Sequence, residues 1–213
     1  MRHLVYLFAV VGLVACGGAE SGTESACASA SESEAESEAE SEAEAASEAE
    51  SEAASEAGGA LLAVGLEAPD FTALDQAGVE RTLSGERGHA VVLYFYPRDA
   101  TPGCTVEACA FRDAWEQYET RGVTLFGVSV DDVESHRAFA EEHELPFPLL
   151  ADTDHAITNA YGARASQGDV VYSRRVTYVI GPSGTIRHVF EDVDPGVHAD
   201  EVLRAVDAVP DAE

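Results

Sequence analysis

Between Gly17 and Ala57 this chain carries 13 Glu but no Asp, no Arg and no aromatic residue, and residues 29–57 are nearly pure Ser, Glu and Ala. Such a segment has no apolar face to bury, so nothing offsets the entropy of ordering it. Ala and Glu favour helix intrinsically. However, Glu32, Glu36, Glu40 and Glu44 recur at i, i+4, as do Glu34, Glu38 and Glu42. Like charges at that spacing repel by roughly 0.2–0.5 kcal/mol per pair. Residues 16–59 are therefore expected to be a disordered, acidic, self-repelling tether, with a reach on the order of 35 Å. All but one Tyr, all but one Phe and the single Trp, Trp115, lie beyond it. One folded domain is expected over residues 60–210, a length that can bury a core.

The first fifteen residues have a different character. Arg2 and His3 precede an apolar run, Leu4 to Val14, that is too short to span a bilayer but suits a signal-peptide core. The run ends in Leu13-Val14-Ala15-Cys16, which resembles a bacterial lipoprotein signal. That resemblance implies a signal peptide over residues 1–15, lipid attachment at Cys16, and an envelope location on the periplasmic side or outer membrane. A lone Arg argues for general secretion, not the twin-arginine route. The net charge of −28 opposes binding to nucleic acid. Every basic residue apart from histidine is Arg, since the chain has no Lys. Cys27 lies in the tether and is read as an exposed thiol with no assigned role.

Within the domain, Val91 to Tyr96 is a continuous β-prone run closed by Pro97, which predicts a buried central strand. Val106, Ala110, Phe111, Ala114 and Tyr118 have helical spacing, predicting one helix over 105–120 with Gly122 at its end. A strand is expected from Val123 to Val130 and a helix from Asp131 to about Glu144. A short strand over Phe147–Leu150 is expected to be an edge or to begin abruptly, because prolines flank Phe147. A short helix follows at Ile157–Tyr161, then a strand at Arg175–Ile180. Gly181-Pro182-Ser183-Gly184 turns the chain into a hairpin partner at Thr185–Phe190, and residues 198–208 form a last helix. Strands alternating with helices predict an α/β fold with a mixed sheet flanked by helices.

The chemistry gathers between Pro97 and Cys109. A loop with Pro and Gly leads from a buried strand to Cys104, which opens a helix. The first turn of a helix has unpaired N–H groups and the positive end of the dipole, and both stabilise a thiolate. Thr101, three residues earlier, can offer its hydroxyl to the sulfur or to a bound oxygen. Cys104 and Cys109 are five apart, so in a regular helix their Cα atoms would be roughly 8.6 Å apart. A disulfide needs less than about 7 Å. If these two cysteines bond, the start of the helix must unwind.

Pro97-x3-Thr101-x2-Cys104 resembles the active-site motif of the peroxiredoxins. Thr101-Pro102-Gly103-Cys104-Thr105-x-Glu107-x-Cys109 resembles the bacterioferritin comigratory protein, or peroxiredoxin Q, branch of that family. Gly65 to Leu74, with Ala68-Pro69-Asp70-Phe71, resembles the family's opening segment, and Arg175 to Ile180 its arginine-bearing late strand. The resemblance covers nearly all of residues 62–209. It implies a thioredoxin-like fold and a thiol-dependent reduction of hydrogen peroxide and organic hydroperoxides. Cys104 would be the peroxidatic cysteine and Cys109 the resolving one, joined in an intramolecular disulfide that a thioredoxin-like protein reduces. Arg175 would stabilise the thiolate and polarise the peroxide, Thr101 would bond the attacked oxygen, and Pro97 would shape the pocket. No cofactor or metal is implied, and a monomer is expected. Arg174 stands beside Arg175, so that choice rests on spacing to Thr177-Tyr178. Gly181-Pro182 stands where the family often has an acidic residue.

The competing readings are an extracytoplasmic thiol-disulfide oxidoreductase and a tethered, non-enzymatic binding module with a structural disulfide. Val176 stands where thioredoxin-like reductases carry a cis-proline, which argues against the first. The second need not retain Pro97, Thr101, Cys104 and Arg175 together. His136 and His143 lack tight ligand spacing and are read as surface histidines. Asp131, Asp132, Asp152 and Asp154 are read as capping or solvating helix starts, not as metal ligands. Phe111 and Trp115 are read as core residues.

Overall fold

A computed structural model describes residues 59–209. The readings of residues 1–15 as a signal, Cys16 as a lipid site and most of the tether, with Cys27, fall outside the described residues.

The central strand forms where its pattern demands. In β3 (Val91–Phe95) every residue is buried, and successive side chains serve opposite faces of the sheet. Val92, Tyr94 and the following Tyr96 pack with Ala108, Phe111, Tyr118, Phe147 and Val202. Val91, Leu93 and Phe95 pack with Phe126, Val128, Ile157, Tyr161 and Tyr178 on the other face. Each fully buried aromatic or branched side chain of this kind contributes about 1.5–3 kcal/mol relative to exposure. A strand feeding two cores must be central, and it is.

β3 is flanked by β4 (Thr124–Ser129), parallel to it, and β8 (Val176–Ile180), antiparallel. β4 pairs in parallel with β5 (Leu149–Ala151), which meets β1 (Thr72–Asp75) antiparallel. β2 (Glu80–Thr82) and β9 (Ile186–Phe190) form the outer strands, giving the order β2-β1-β5-β4-β3-β8-β9. β6 (Arg164–Gln167) and β7 (Val170–Ser173) form a separate hairpin. β5 is not an edge. It lies between β1 and β4, so the prolines mark only its abrupt start.

The helices are α1 (Pro102–Asp113), α2 (Trp115–Thr120), α3 (Val133–Glu142), α4 (Ala156–Ala160) and α5 (His198–Asp207). The single helix expected over 105–120 is two. Ala114, with φ −89° and ψ 0°, closes α1, and α2 restarts so that Tyr118 is buried and donates to the Ala199 carbonyl at 2.7 Å. Gly122 ends α2 in the left-handed region at φ +64°. Asp132 caps α3 by accepting from Ser135 N at 2.9 Å. Asp152 accepts from the backbone N–H groups of Ile157 and Thr158, and Asp154 from that of Ala156, at the start of α4. Asp131 does not cap; it binds Ser129 and the Asp99 amide.

Register places the site. Val176 pairs with Phe95, so the start of β8 lies against the carboxyl end of β3. Arg175, one residue before β8, therefore reaches the same edge as the loop that leads from β3 into α1.

Candidate active site

Pro102 occupies the first turn of α1, where its missing N–H costs nothing. Thr101 is the extended N-cap residue, yet its side chain does not cap. The hydroxyl instead donates to the Arg98 carbonyl at 3.0 Å. Its proton is thus engaged within the loop, away from the sulfur, and its lone pairs are left to accept. Cys104 lies in the first turn as a free, buried thiol, 1% exposed. Cys109 is buried further along the same helix. The two are not bonded to each other, and α1 runs unbroken through both positions.

Of the two neighbouring arginines, Arg175 reaches Cys104, its Nη2 donating to Sγ at 3.3 Å. Arg174 joins the fold through its backbone N–H, which donates to the Ala163 carbonyl at 2.7 Å. Gly103 leaves room for the approach of Arg175. A Cβ there would stand 3.2 Å from Nη2, closer than an ordinary contact. Pro97 is half-buried at the end of β3 and begins the loop.

The guanidinium is forked. Its Nη1 donates to Glu107 Oε2, so one cation serves two groups on the same buried face of α1. Burial opposes the charge of Arg175, but Glu107 and Cys104 outweigh it and hold the guanidinium above its ordinary range. Glu107 is fully buried, and that burial pushes its carboxyl up to about 7, against the pull of Arg175. Its Oε1 has no hydrogen-bond partner and lies 3.9 Å from Nε2 of the fully buried His198. His198 is driven down to about 4 by burial and by Arg175, and its Nε2 lies 2.8 Å from Thr177 Oγ1. It is therefore neutral at pH 7. The Tyr94 hydroxyl is likewise buried without a partner, and burial pushes it well above the usual phenol range, with Glu107 adding to the effect.

This pattern gives a pH prediction. The unfolded chain ionises Glu107 at its ordinary 4.5, whereas the folded chain does so at about 7. Between those values the fold holds a proton that the unfolded chain has released. The group's contribution to stability is therefore greatest below the lower value and declines as pH rises through the upper one. Glu107→Gln is expected to flatten that decline between about pH 5 and 8, as read by urea unfolding. An unchanged slope would show that Glu107 is ionised in the fold throughout.

Sequence reasoning misses Glu107, His198, Asp99 and His136 as residues of the site. For Glu107 the signal is present: Cys104, Glu107, Ala108 and Phe111 fall at i, i+3, i+4 and i+7, the buried stripe of the helix. A carboxylate on a core stripe demands a cation. His136 and His143, read as surface residues, are buried, because they share a stripe with Phe139 and Ala140 on α3. Phe111 is core, and Trp115 packs against Phe147 at its margin. Among the described residues no three His, Cys, Asp or Glu side chains converge as a metal site would require.

The sequence matches the AhpC/TSA family over residues 64–189. It is 40% identical over 139 residues to the chloroplastic peroxiredoxin Q of Triticum aestivum, covering 65% of this chain and 64% of that one. It is 38% identical over 146 residues to the putative peroxiredoxin bcp of Coxiella burnetii, covering 67% of this chain and 97% of that one. The chain thus spans just under two thirds of the wheat protein and nearly all of the bacterial one. Its structure is similar to that of peroxidoxin BcpB from Mycobacterium tuberculosis, with TM-score 0.65, 32% identity and coverage of 69% and 97%. It is also similar to that of the Xanthomonas campestris bacterioferritin comigratory protein, with TM-score 0.64, 32% identity and coverage of 68% and 98%. The fold is therefore the thioredoxin-like mixed α/β fold of those proteins, as expected from the sequence.

Proposed function

Because the chain belongs to the AhpC/TSA family, with peroxiredoxin Q and bacterioferritin comigratory proteins among its relatives, we propose that it is a thiol-dependent peroxidase. One observation carries this reading: a free, buried thiol in the first turn of a helix receives a hydrogen bond from a forked guanidinium at 3.3 Å. That setting stabilises a thiolate and places a cation where peroxide oxygens become negative. Alkyl peroxide reduction activity is described for the Xanthomonas protein, which supports hydroperoxides as the substrate class here.

In the proposed cycle the Cys104 thiolate attacks the distal peroxide oxygen. The O–O bond breaks, the leaving oxygen takes a proton to become water or alcohol, and Cys104 becomes a sulfenic acid. Arg175 holds the thiolate and then the developing negative oxygen. Thr101, its own proton on Arg98, accepts the hydrogen bond of the incoming hydroperoxide. Pro97 bounds the loop. Cys109 then attacks the sulfenic sulfur, water leaves, and a Cys104–Cys109 disulfide forms. Both cysteines lie in α1, so its start must unwind for this step. A thioredoxin-like dithiol returns the enzyme to the reduced state by exchange. We further propose that the protein acts as a monomer in the bacterial cell envelope, held by a lipid on Cys16 with the acidic segment as spacer.

Mass spectrometry of the mature, reduced protein before and after one equivalent of hydrogen peroxide tests both parts. The wild type is expected to lose about 2 Da, with Cys104 and Cys109 in one cross-linked peptide. Cys109→Ser is expected to gain about 16 Da at Cys104 and to stop after one turnover. A lipid-sized increment on Cys16 supports the anchor, and an unmodified Cys16 in mature protein overturns it. Cys104 left unmodified while peroxide is consumed would overturn the peroxidase assignment.

A further inference from the structure

The loop of residues 97–101 carries both Pro97 and Thr101, yet little in its own sequence holds it in place. Ala100 sits in the left-handed region at φ +56°, which costs a non-glycine residue about 1–2 kcal/mol. Thr101 leaves the helix uncapped. A conformation of this kind persists only when its surroundings over-determine it.

Those surroundings converge on Asp99, which is 7% exposed. Its Oδ1 accepts from the Tyr96 hydroxyl at 2.7 Å. Its Oδ2 faces the Ser135 hydroxyl at 2.7 Å and His136 Nδ1 at 2.8 Å. Its backbone N–H donates to Asp131 Oδ2 at 2.8 Å, and Asp131 is held by the Ser129 hydroxyl at 2.7 Å. His136 has no exposed side-chain surface, and its second nitrogen, Nε2, lies 3.1 Å from the Leu150 carbonyl. Both ring nitrogens of His136 therefore face acceptors. Burial favours a neutral Asp99, but the donors around it, His136 foremost, win and keep its carboxyl below the ordinary range. The ring is thus held at both nitrogens, by the Asp99 carboxylate on one side and the Leu150 carbonyl on the other.

A buried polar cluster of this type rarely adds net stability over apolar packing of the same size. What it does supply is one defined position. It ties the loop to the end of β4 through Asp131, to α3 through Ser135 and His136, and to β5 through Leu150. The tie ends at Asp99, three residues before α1, whose start has to unwind in the proposed cycle.

Resting on the peroxidase reading, we propose that Asp99 and His136 are positioning residues that act as one unit. They clamp the peroxide-contacting loop to β4, α3 and β5, so that Pro97 and Thr101 stay in place while the start of α1 folds and unfolds. Neither touches Cys104 or Arg175. The clamp therefore governs how peroxide is held and leaves the thiolate itself unaffected.

The test compares two rates at Cys104 in the reduced full chain. One is oxidation by tert-butyl hydroperoxide, which needs the loop. The other is alkylation by iodoacetamide, scored on the Cys104 peptide, which needs the sulfur but not a held peroxide. Asp99→Asn and His136→Gln are each expected to slow oxidation about tenfold to a hundredfold, the effect of misplacing substrate by about an ångström. Alkylation is expected to stay within about threefold, and the double variant within about threefold of the worse single one, as for residues acting as a unit. If either variant lacks the wild-type circular dichroism spectrum, Ser135→Ala carries the test, with a loss of about threefold or more in oxidation alone. Oxidation unchanged within about twofold, both rates falling together, or losses that multiply in the double variant overturn the clamp. A wild type that does not consume peroxide overturns the peroxidase reading instead, so the two failures are distinguishable.

Discussion

Cys104→Ser is expected to abolish hydroperoxide consumption, lowering its rate by roughly three orders of magnitude or more while leaving the fold in place. The substitution is close to isosteric at a site only 1% exposed, so it opens almost no cavity. The buried hydroxyl keeps a partner, because Arg175 Nη2 already points at that position. What disappears is the nucleophile. An alcohol stays neutral near pH 7, and neutral oxygen does not attack a peroxide. The measurement is stoichiometric peroxide consumption by pre-reduced full-length protein with no dithiol added, alongside a thermal unfolding curve. Full consumption by Cys104→Ser would place the first chemical step elsewhere. The contrast with Cys109→Ser makes the order of the two cysteines testable. That variant should consume one equivalent and stall, whereas Cys104→Ser should consume none.

Much of this site is legible because its parts lie close together in the sequence. The run Val91 to Tyr96 could only be a two-sided buried strand, and Pro97 had to end it. The Pro-Gly loop and the cysteine after it mark a helix start, although the helix begins at Pro102, ahead of Cys104. From sequence, Arg175 is chosen over Arg174 only by its spacing to Thr177-Tyr178. The pairing of Val176 with Phe95 brings that residue to Cys104, and strand register is a property of the sheet that no local pattern encodes. The hairpins β1–β2 and β6–β7 escape a sequence reading because their strands have three or four residues, mostly exposed or half-exposed, too few for a period to show. The break at Ala114 is hidden for the opposite reason. Apolar spacing continues across it, and only the docking of Tyr118 onto Ala199 shows why the axis shifts. The Asp99–His136 pair spans 37 residues and joins a loop to a helix, a contact that composition and spacing cannot reveal.

Arg175→Ala is expected to slow oxidation of Cys104 by about a hundredfold or more, and Arg174→Ala by less than about threefold. Arg175 gives one hydrogen bond to the attacking sulfur and carries the charge that meets the leaving oxygen, whereas Arg174 contributes a backbone bond that truncation leaves intact. Arg175→Lys is expected to recover only part of the loss, because an ammonium is a point charge and cannot fork between Cys104 and Glu107. Arg175→Ala also has a second effect, since it strips the fully buried Glu107 of its cation. Removing one partner of such a pair costs about 3–5 kcal/mol, unless the carboxyl takes up a proton. Adding Glu107→Gln to Arg175→Ala removes the unpaired acid, so the double variant is expected to regain stability in urea unfolding. It is not expected to regain rate. Stopped-flow oxidation of Cys104 by hydrogen peroxide on the three proteins separates the two roles. If stability and rate return together, Arg175 acts by holding α1 in shape; if only stability returns, it acts on the reacting atoms. A larger loss in Arg174→Ala than in Arg175→Ala would move the assignment to its neighbour.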